Sequence, residues 1–130
     1  MTASTTICVG IVDDDESVCR SLGRLLRANG VQPVTYASAE TFLADTKRPK
    51  FDCLVLDVQL EGMSGIELAR RLHAVGSTTP VVFITAYDEA GVREEAAQVR
   101  CVAYLAKSVP ADAVIAAIRR AADEGLAPLR

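Results

Sequence analysis

The stretch Ile7–Asp15, "ICVGIVDDD", places three carboxylates directly after a short apolar run. The run is continuous and rich in β-branched residues, which predicts a strand buried on both faces of a parallel sheet. The charges of Asp13, Asp14 and Asp15, with Glu16 behind them, repel one another. Two such charges about 4 Å apart cost about 4 kcal/mol at an effective dielectric of about 20. A fold tolerates this row where the charges are fully solvated or where a positive group lies among them.

The alternation begun by this strand continues along the chain. Four further apolar runs predict strands: Gln32–Ala37, Phe51–Asp57, Pro80–Ala86 and Cys101–Ala106. Helical spacing of apolar residues follows each run, as Val18, Leu22 and Leu25 show after the first one. Ser38 and Pro110 are typical residues for the start of a helix.

This alternation predicts an α/β fold of the doubly wound (βα)5 kind, a five-stranded parallel sheet with helices on both faces. Five strands of this length favour a flavodoxin-like strand order, 2-1-3-4-5, over a closed eight-stranded barrel. We expect a single domain over residues 1–130, with its core at about 7–123 and a tail or the start of a linker at 124–130.

Composition excludes several classes of function. Half of the 130 residues are apolar, which is enough for one real core and argues against disorder. The net charge of −3 and the absence of a basic run argue against direct nucleic-acid binding by this domain. The apolar runs are far shorter than the roughly 20 residues of a membrane helix, and no export signal is visible. We therefore expect a cytoplasmic domain without membrane contact.

The cysteines and the histidine form no motif. Cys8, Cys19, Cys53 and Cys101 are widely spaced, which favours free thiols packed as small apolar residues in a reducing compartment. His73 is the single histidine and is expected on a solvated helix.

Polar residues follow the predicted strands where each strand ends. They are Asp13, Asp14, Asp57, Thr85 and Lys107. In such a sheet ligands bind beyond the carboxyl ends of the strands, so we expect these side chains to converge. Carboxylate oxygens suit Mg²⁺ (or Mn²⁺) better than zinc. The ammonium and hydroxyl groups suit a phosphoryl group. No P-loop motif is present, which excludes a nucleotide-binding P-loop. One carboxylate can instead act as a nucleophile that forms an aspartyl phosphate.

With these residues the chain resembles the receiver domain of two-component response regulators, over about residues 7–123. That family has an acidic pair after the first strand, a phosphate-accepting Asp after the third, Thr or Ser after the fourth and Lys after the fifth. The resemblance implies that Asp57 accepts the phosphoryl group. It also implies that Asp14 ligates the metal, that Asp13 helps directly or through water, and that the backbone carbonyl of Gln59 is a further ligand.

The resemblance further implies a switch. Thr85 and Lys107 would hold the phosphate oxygens, and Tyr104 would swing into the space that Thr85 leaves, with the small Ala86 giving room. The face formed by the fourth helix, fifth strand and fifth helix would then repack. An ordinary packing role for Tyr104 stays open.

The implied activity is not enzymatic in the usual sense, because such a domain catalyses only its own phosphorylation and dephosphorylation. Gln59 and Tyr87 would tune the lifetime of the phosphorylated state. Asp15 and Glu16 are interpreted as first-turn charges favoured by the helix dipole. The implied partners are a sensor histidine kinase or phosphotransfer protein, and a second copy docked through the switch face. The run "TYASAETFL" is similar to receivers of the nitrogen-fixation regulator type, so a DNA-binding effector domain beyond residue 130 is expected.

The chain departs from the family pattern at three places. Ser108 stands where proline usually follows the lysine, which leaves open whether the Lys107–Ser108 bond is cis or trans. Leu60–Glu61 replaces the usual Met-Pro, and Arg100–Cys101 replaces Gly-Ala, so Arg100 would be strained if its backbone were left-handed. These changes predict an altered output surface, a looser loop, or a slower or weaker switch.

Two rival functions remain. A phosphohydrolase of the haloacid dehalogenase type needs a second Asp two residues after the nucleophile, where this chain has Gln59, and a cap domain. A degenerate receiver would instead act as a phosphorylation-independent protein-interaction module.

Overall fold

Five strands alternate with five helices in the computed structural model, which describes residues 6–86 and 90–126. The strands are β1 (Cys8–Val12), β2 (Gln32–Tyr36), β3 (Cys53–Asp57), β4 (Val81–Thr85) and β5 (Ala103–Ala106). The helices are α1 (Glu16–Ala28), α2 (Ala39–Ala44), α3 (Gly65–Ala74), α4 (Ala90–Ala97) and α5 (Ala111–Leu126).

The sheet is parallel throughout, in the order β2-β1-β3-β4-β5. The predicted (βα)5 fold and strand order are therefore confirmed. β2 lies at an edge, where Pro33 costs least because part of an edge strand's backbone has no ladder partner. β1 and β3 are neighbours, with Val12 beside Leu56, so the residues that follow these two strands emerge side by side.

Each face of the sheet is covered by its own helices. On one face α1 and α5 pack over an aliphatic cluster that includes Ile11, Val55 and Ile118. On the other, α2, α3 and α4 pack over a cluster that holds Phe42 and Phe83. Both layers are fully buried at their centres, which removes the apolar side chains from water and supplies the main stabilisation of the fold.

The helix ends follow from local chemistry, with one correction. Asp15 precedes α1 as its N-cap, accepting hydrogen bonds from the backbone N–H groups of the first turn, so its interpretation as a first-turn charge was wrong. Ser38 caps α2 in the same way. Gly30 and Gly76 follow α1 and α3 with φ of 76° and 86°, a conformation that glycine adopts without strain.

Two further details bear on the sequence-based expectations. α5 continues to Leu126, so regular structure extends past residue 123, where the core was expected to end. Every non-glycine residue in the described ranges has a negative φ, and Arg100 is therefore not held in a left-handed conformation. None of the helices described here has the length and apolarity needed to cross a membrane.

Candidate functional site

The carboxyl ends of β1, β3 and β5 bring two buried carboxylates and one ammonium together. The Nζ atom of Lys107 lies 2.9 Å from Oδ2 of Asp13 and 3.1 Å from Oδ2 of Asp57. Asp13 and Asp57 are only 1% and 3% exposed, respectively, so their charges cannot be balanced by water alone. Lys107, which follows β5, is thus the positive group that offsets the charges of these acidic residues.

Asp14 completes a cluster of three carboxylates. Asp13, Asp14 and Asp57 each offer an oxygen atom, and these atoms lie within 4.8 Å of one another. Asp14 is exposed, whereas the other two are buried, so the cluster opens to solvent on one side. All three donors are hard oxygen atoms, and the residues fit a small divalent cation that keeps part of its water shell.

Burial and crowding change the acidity of Asp57. Removal from water, and then the nearby charge of Asp13, raise the pKa of Asp57 to about 6, although the Gln59 N–H and the Lys107 ammonium oppose the rise. The backbone N–H of Gln59 donates to Oδ1 of Asp57 at 3.1 Å, which orients the carboxyl group. Asp57 therefore carries its negative charge at an energetic cost in this site.

Lys107 reaches the cluster from a turn that follows β5. Its backbone N–H donates to the carbonyl of Thr85 at 2.8 Å, and the Val109 N–H donates to the carbonyl of Ala106 at 3.1 Å. No peptide bond in residues 6–86 and 90–126 is cis, so the Lys107–Ser108 bond is trans and the lysine still contacts both carboxylates. Desolvation lowers the pKa of Lys107, but hydrogen bonds and charge from Asp13 and Asp57 outweigh it and the net pKa is raised.

Gly65 lets α3 pack closely against the end of β3 beside the site, and it was not predicted from the sequence. A Cβ atom at this position would overlap the carbonyl oxygen of Asp57, so α3 can approach β3 only with glycine here. The Gly65 N–H also donates to the carbonyl of Val58 at 3.2 Å. The sequence pattern placed Gly65 in the loop before this helix, whereas it is the first residue of α3.

The loop that follows Asp57 is held by carboxylates at two points. The Glu61 N–H donates to Oδ2 of Asp14 at 3.2 Å, and the Met63 N–H donates to Oε2 of Glu40 at 2.9 Å. From the sequence, Leu60–Glu61 was expected to loosen this loop, and Glu40 was not among the candidate residues. No local pattern could have found Glu40, because it contacts a residue 23 positions away.

The proposed switch residues lie on β4 and β5. Thr85 is fully buried at the end of β4, and Ala86 beside it is exposed. Tyr104 is partly buried in the α2–α3–α4 layer, with the guanidinium carbon of Arg93 4.8 Å from its ring centroid. Tyr87 lies outside the described residues.

The chain is similar to known proteins over most of its length. Residues 9–119 match the family model described as "Response regulator receiver domain". The chain is 32% identical over 111 residues to the response regulator protein TodT of Pseudomonas putida, covering 85% of this chain and 49% of TodT. It is 34% identical over 119 residues to the transcriptional regulatory protein FixJ of Rhizobium meliloti, covering 92% of this chain and 58% of FixJ.

A solved structure is similar to this chain over nearly its whole length. The crystal structure titled FixJ-N superposes with a TM-score of 0.86 at 33% identity, covering 97% of this chain and all of that one. The chain spans about half the length of the curated relatives it matches. Because the family model covers most of the sequence and these relatives share its fold, the chain belongs to the response regulator receiver domain family of two-component systems.

Proposed function

We propose that Asp57 accepts a phosphoryl group from the phosphohistidine of a sensor histidine kinase or a phosphotransfer protein in the cytoplasm. The observation that carries this proposal is the grouping of buried Asp57 with Asp13, Asp14 and Lys107 at the carboxyl edge of the sheet. In the transfer, a carboxylate oxygen of Asp57 forms a bond to phosphorus as the phosphorus–nitrogen bond breaks. The leaving imidazole nitrogen keeps the bonding electron pair.

Asp13, Asp14 and Asp57, with the backbone carbonyl of Gln59, are the residues that would hold Mg²⁺ (or Mn²⁺). When bound, the ion would supply positive charge that favours ionised Asp57 and balances the phosphoryl oxygens. Lys107 already lies between two of these carboxylates and can turn its ammonium to the phosphoryl oxygens. The hydroxyl of Thr85 is the proposed hydrogen-bond donor at the end of the neighbouring strand.

The proposed signal is a repacking of α4, β5 and α5. Thr85 would move towards the phosphoryl group, and Tyr104 would follow into the space beside Ala86. Tyr104 is only partly buried and lies under α4, so its movement would alter the surface of that helix. The two states must differ by only a few kcal/mol for phosphorylation to shift their populations.

The later steps are proposed on the same basis. The domain would hydrolyse its own aspartyl phosphate, with Gln59 and Tyr87 tuning the rate. The repacked face would serve a homodimer. A relative named as a transcriptional regulatory protein supports a DNA-binding effector region attached to this domain in the whole protein.

Intact mass spectrometry after incubation with a small-molecule phosphodonor and Mg²⁺ tests the proposal. We expect one labile phosphoryl adduct on the wild type and none on Asp57→Asn. Turnover of many external phosphoesters would instead favour a phosphohydrolase. Failure to form any adduct, with a phosphodonor or with a kinase, would refute phosphorylation and support a phosphorylation-independent interaction module.

A further inference from the structure

Two carboxylates anchor the loop between β3 and α3 on either side of a glycine turn. Asp14 accepts the Glu61 N–H at 3.2 Å, and Glu40 accepts the Met63 N–H at 2.9 Å. Between these two amides, Gly62 has a φ of 77°. The loop from Val58 to Ser64 contains no proline, so hydrogen bonds rather than ring stiffness limit its backbone.

We propose that Glu40 is a positioning residue for the metal site, fixing this loop so that the carbonyl of Gln59 is available to a divalent ion. The inference rests on the proposed function, because the ligand role of Gln59 is part of that proposal. Glu40 does not belong to the carboxylate cluster and acts only through the loop. Its own position is set by α2, whose first turn is fixed by the Ser38 cap.

The two anchors would respond differently to an ion. Asp14 is itself a proposed ligand, so an ion would compete for the oxygen that now accepts the Glu61 N–H. The oxygen of Glu40 lies outside the cluster and keeps its hydrogen bond when the ion enters. Glu40 is therefore the anchor that can hold the loop both before and after metal binding.

The Glu40 contact is a charge-assisted hydrogen bond. The Met63 N–H is the largest cause of a lowered pKa for Glu40, followed by the backbone N–H of Glu40 itself, so the side chain is ionised at neutral pH. Bonds from N–H groups to carboxylates are stronger than those between neutral groups. A neutral acceptor of the same shape should keep the geometry and lose part of the strength.

The experiment compares Glu40→Ala and Glu40→Gln with the wild type and with Glu94→Gln, which removes one exposed glutamate charge from α4. Residue-resolved amide hydrogen exchange without metal reports on the loop, and calorimetric titration with Mg²⁺ alone gives the Kd. For Glu40→Ala we expect faster exchange at Met63 and a Kd raised roughly three- to tenfold. Glu40→Gln should recover most of the affinity, and Glu94→Gln should match the wild type.

Three results would overturn the inference. A wild-type Kd in Glu40→Ala would show that the loop does not depend on this anchor, whatever the exchange rates are. Equal losses of Mg²⁺ affinity in Glu40→Ala and Glu94→Gln would show that the effect comes from net charge and not from the loop anchor. A wild type that binds no Mg²⁺ would refute the proposed metal site itself, and that result is distinct from the first two because it does not involve a variant.

Discussion

Replacing Asp57 with asparagine should stabilise the metal-free domain at neutral pH. Asp57 is 3% exposed and lies near Asp13, and its pKa is raised from 3.8 to about 6. A pKa difference of about 2 corresponds to about 3 kcal/mol of destabilisation once the group is ionised. Asparagine keeps the shape but loses attraction to Lys107, so we expect a net gain of roughly 1–3 kcal/mol. The melting temperature should rise by roughly 3–10 °C.

The effect has a defined direction with pH. Since the pKa of Asp57 is higher in the folded state than in the unfolded state, the folded state binds more protons between about pH 4 and pH 6. The destabilisation caused by ionised Asp57 is absent below that window, grows as pH rises through it, and is complete at pH 7. The difference in melting temperature between Asp57→Asn and the wild type should therefore shrink as pH falls towards 4.

Thermal unfolding in metal-free buffer from pH 4 to pH 7.5, followed by circular dichroism, measures this. Asp123→Asn, an exposed carboxylate on α5, is the matched control and should change stability by no more than about 0.5 kcal/mol. Millimolar Mg²⁺ should stabilise the wild type by mass action and reduce the difference in melting temperature between Asp57→Asn and the wild type. An Asn variant that melts below the wild type at pH 7.5 would refute a burial penalty on this carboxylate.

Three further substitutions test the packing and charge of the site. Gly65→Ala should destabilise the fold by about 2 kcal/mol or more in urea denaturation, because the new Cβ would overlap the carbonyl of Asp57; an unchanged midpoint would contradict that contact. Lys107→Met should cost roughly 2–4 kcal/mol at pH 7.5, since Asp13 and Asp57 lose their shared cation, and stability equal to the wild type would contradict this. Ser38→Ala should cost about 1 kcal/mol through loss of the α2 cap, measured by the same denaturation, and Ser38→Asp should restore it.

The fold was predictable because each strand carries its own signal. Short apolar runs separated by helical spacing fix the parallel sheet, and the parallel sheet places every strand end at one edge. That step alone predicts that Asp13, Asp57 and Lys107 converge, although Lys107 is 50 residues from Asp57 in the chain. Pro33 likewise favours an edge position for its strand, and β2 lies at the edge of the sheet.

The parts that could not be predicted depend on contacts between loops or on backbone detail. Nothing near Glu40 in the sequence indicates that it accepts the Met63 N–H. Asp15 is the cap of α1 because its carboxylate accepts the backbone N–H groups of Ser17 and Val18, a contact that its charge alone does not indicate. The peptide bond before Ser108 is trans because of the backbone path of the turn after β5. The identity of the residue at position 108 does not determine that path.

The uneven composition of the two core layers has a practical consequence for spectroscopy. The described phenylalanines and tyrosines, Tyr36, Phe42, Phe51, Phe83 and Tyr104, all pack on the side of α2, α3 and α4, and the chain has no tryptophan. Near-ultraviolet dichroism of these rings therefore reports on that side of the molecule. Loosening of the aliphatic layer under α1 and α5 would leave this signal largely unchanged, and isotope-labelled methyl groups are the probes that would detect it.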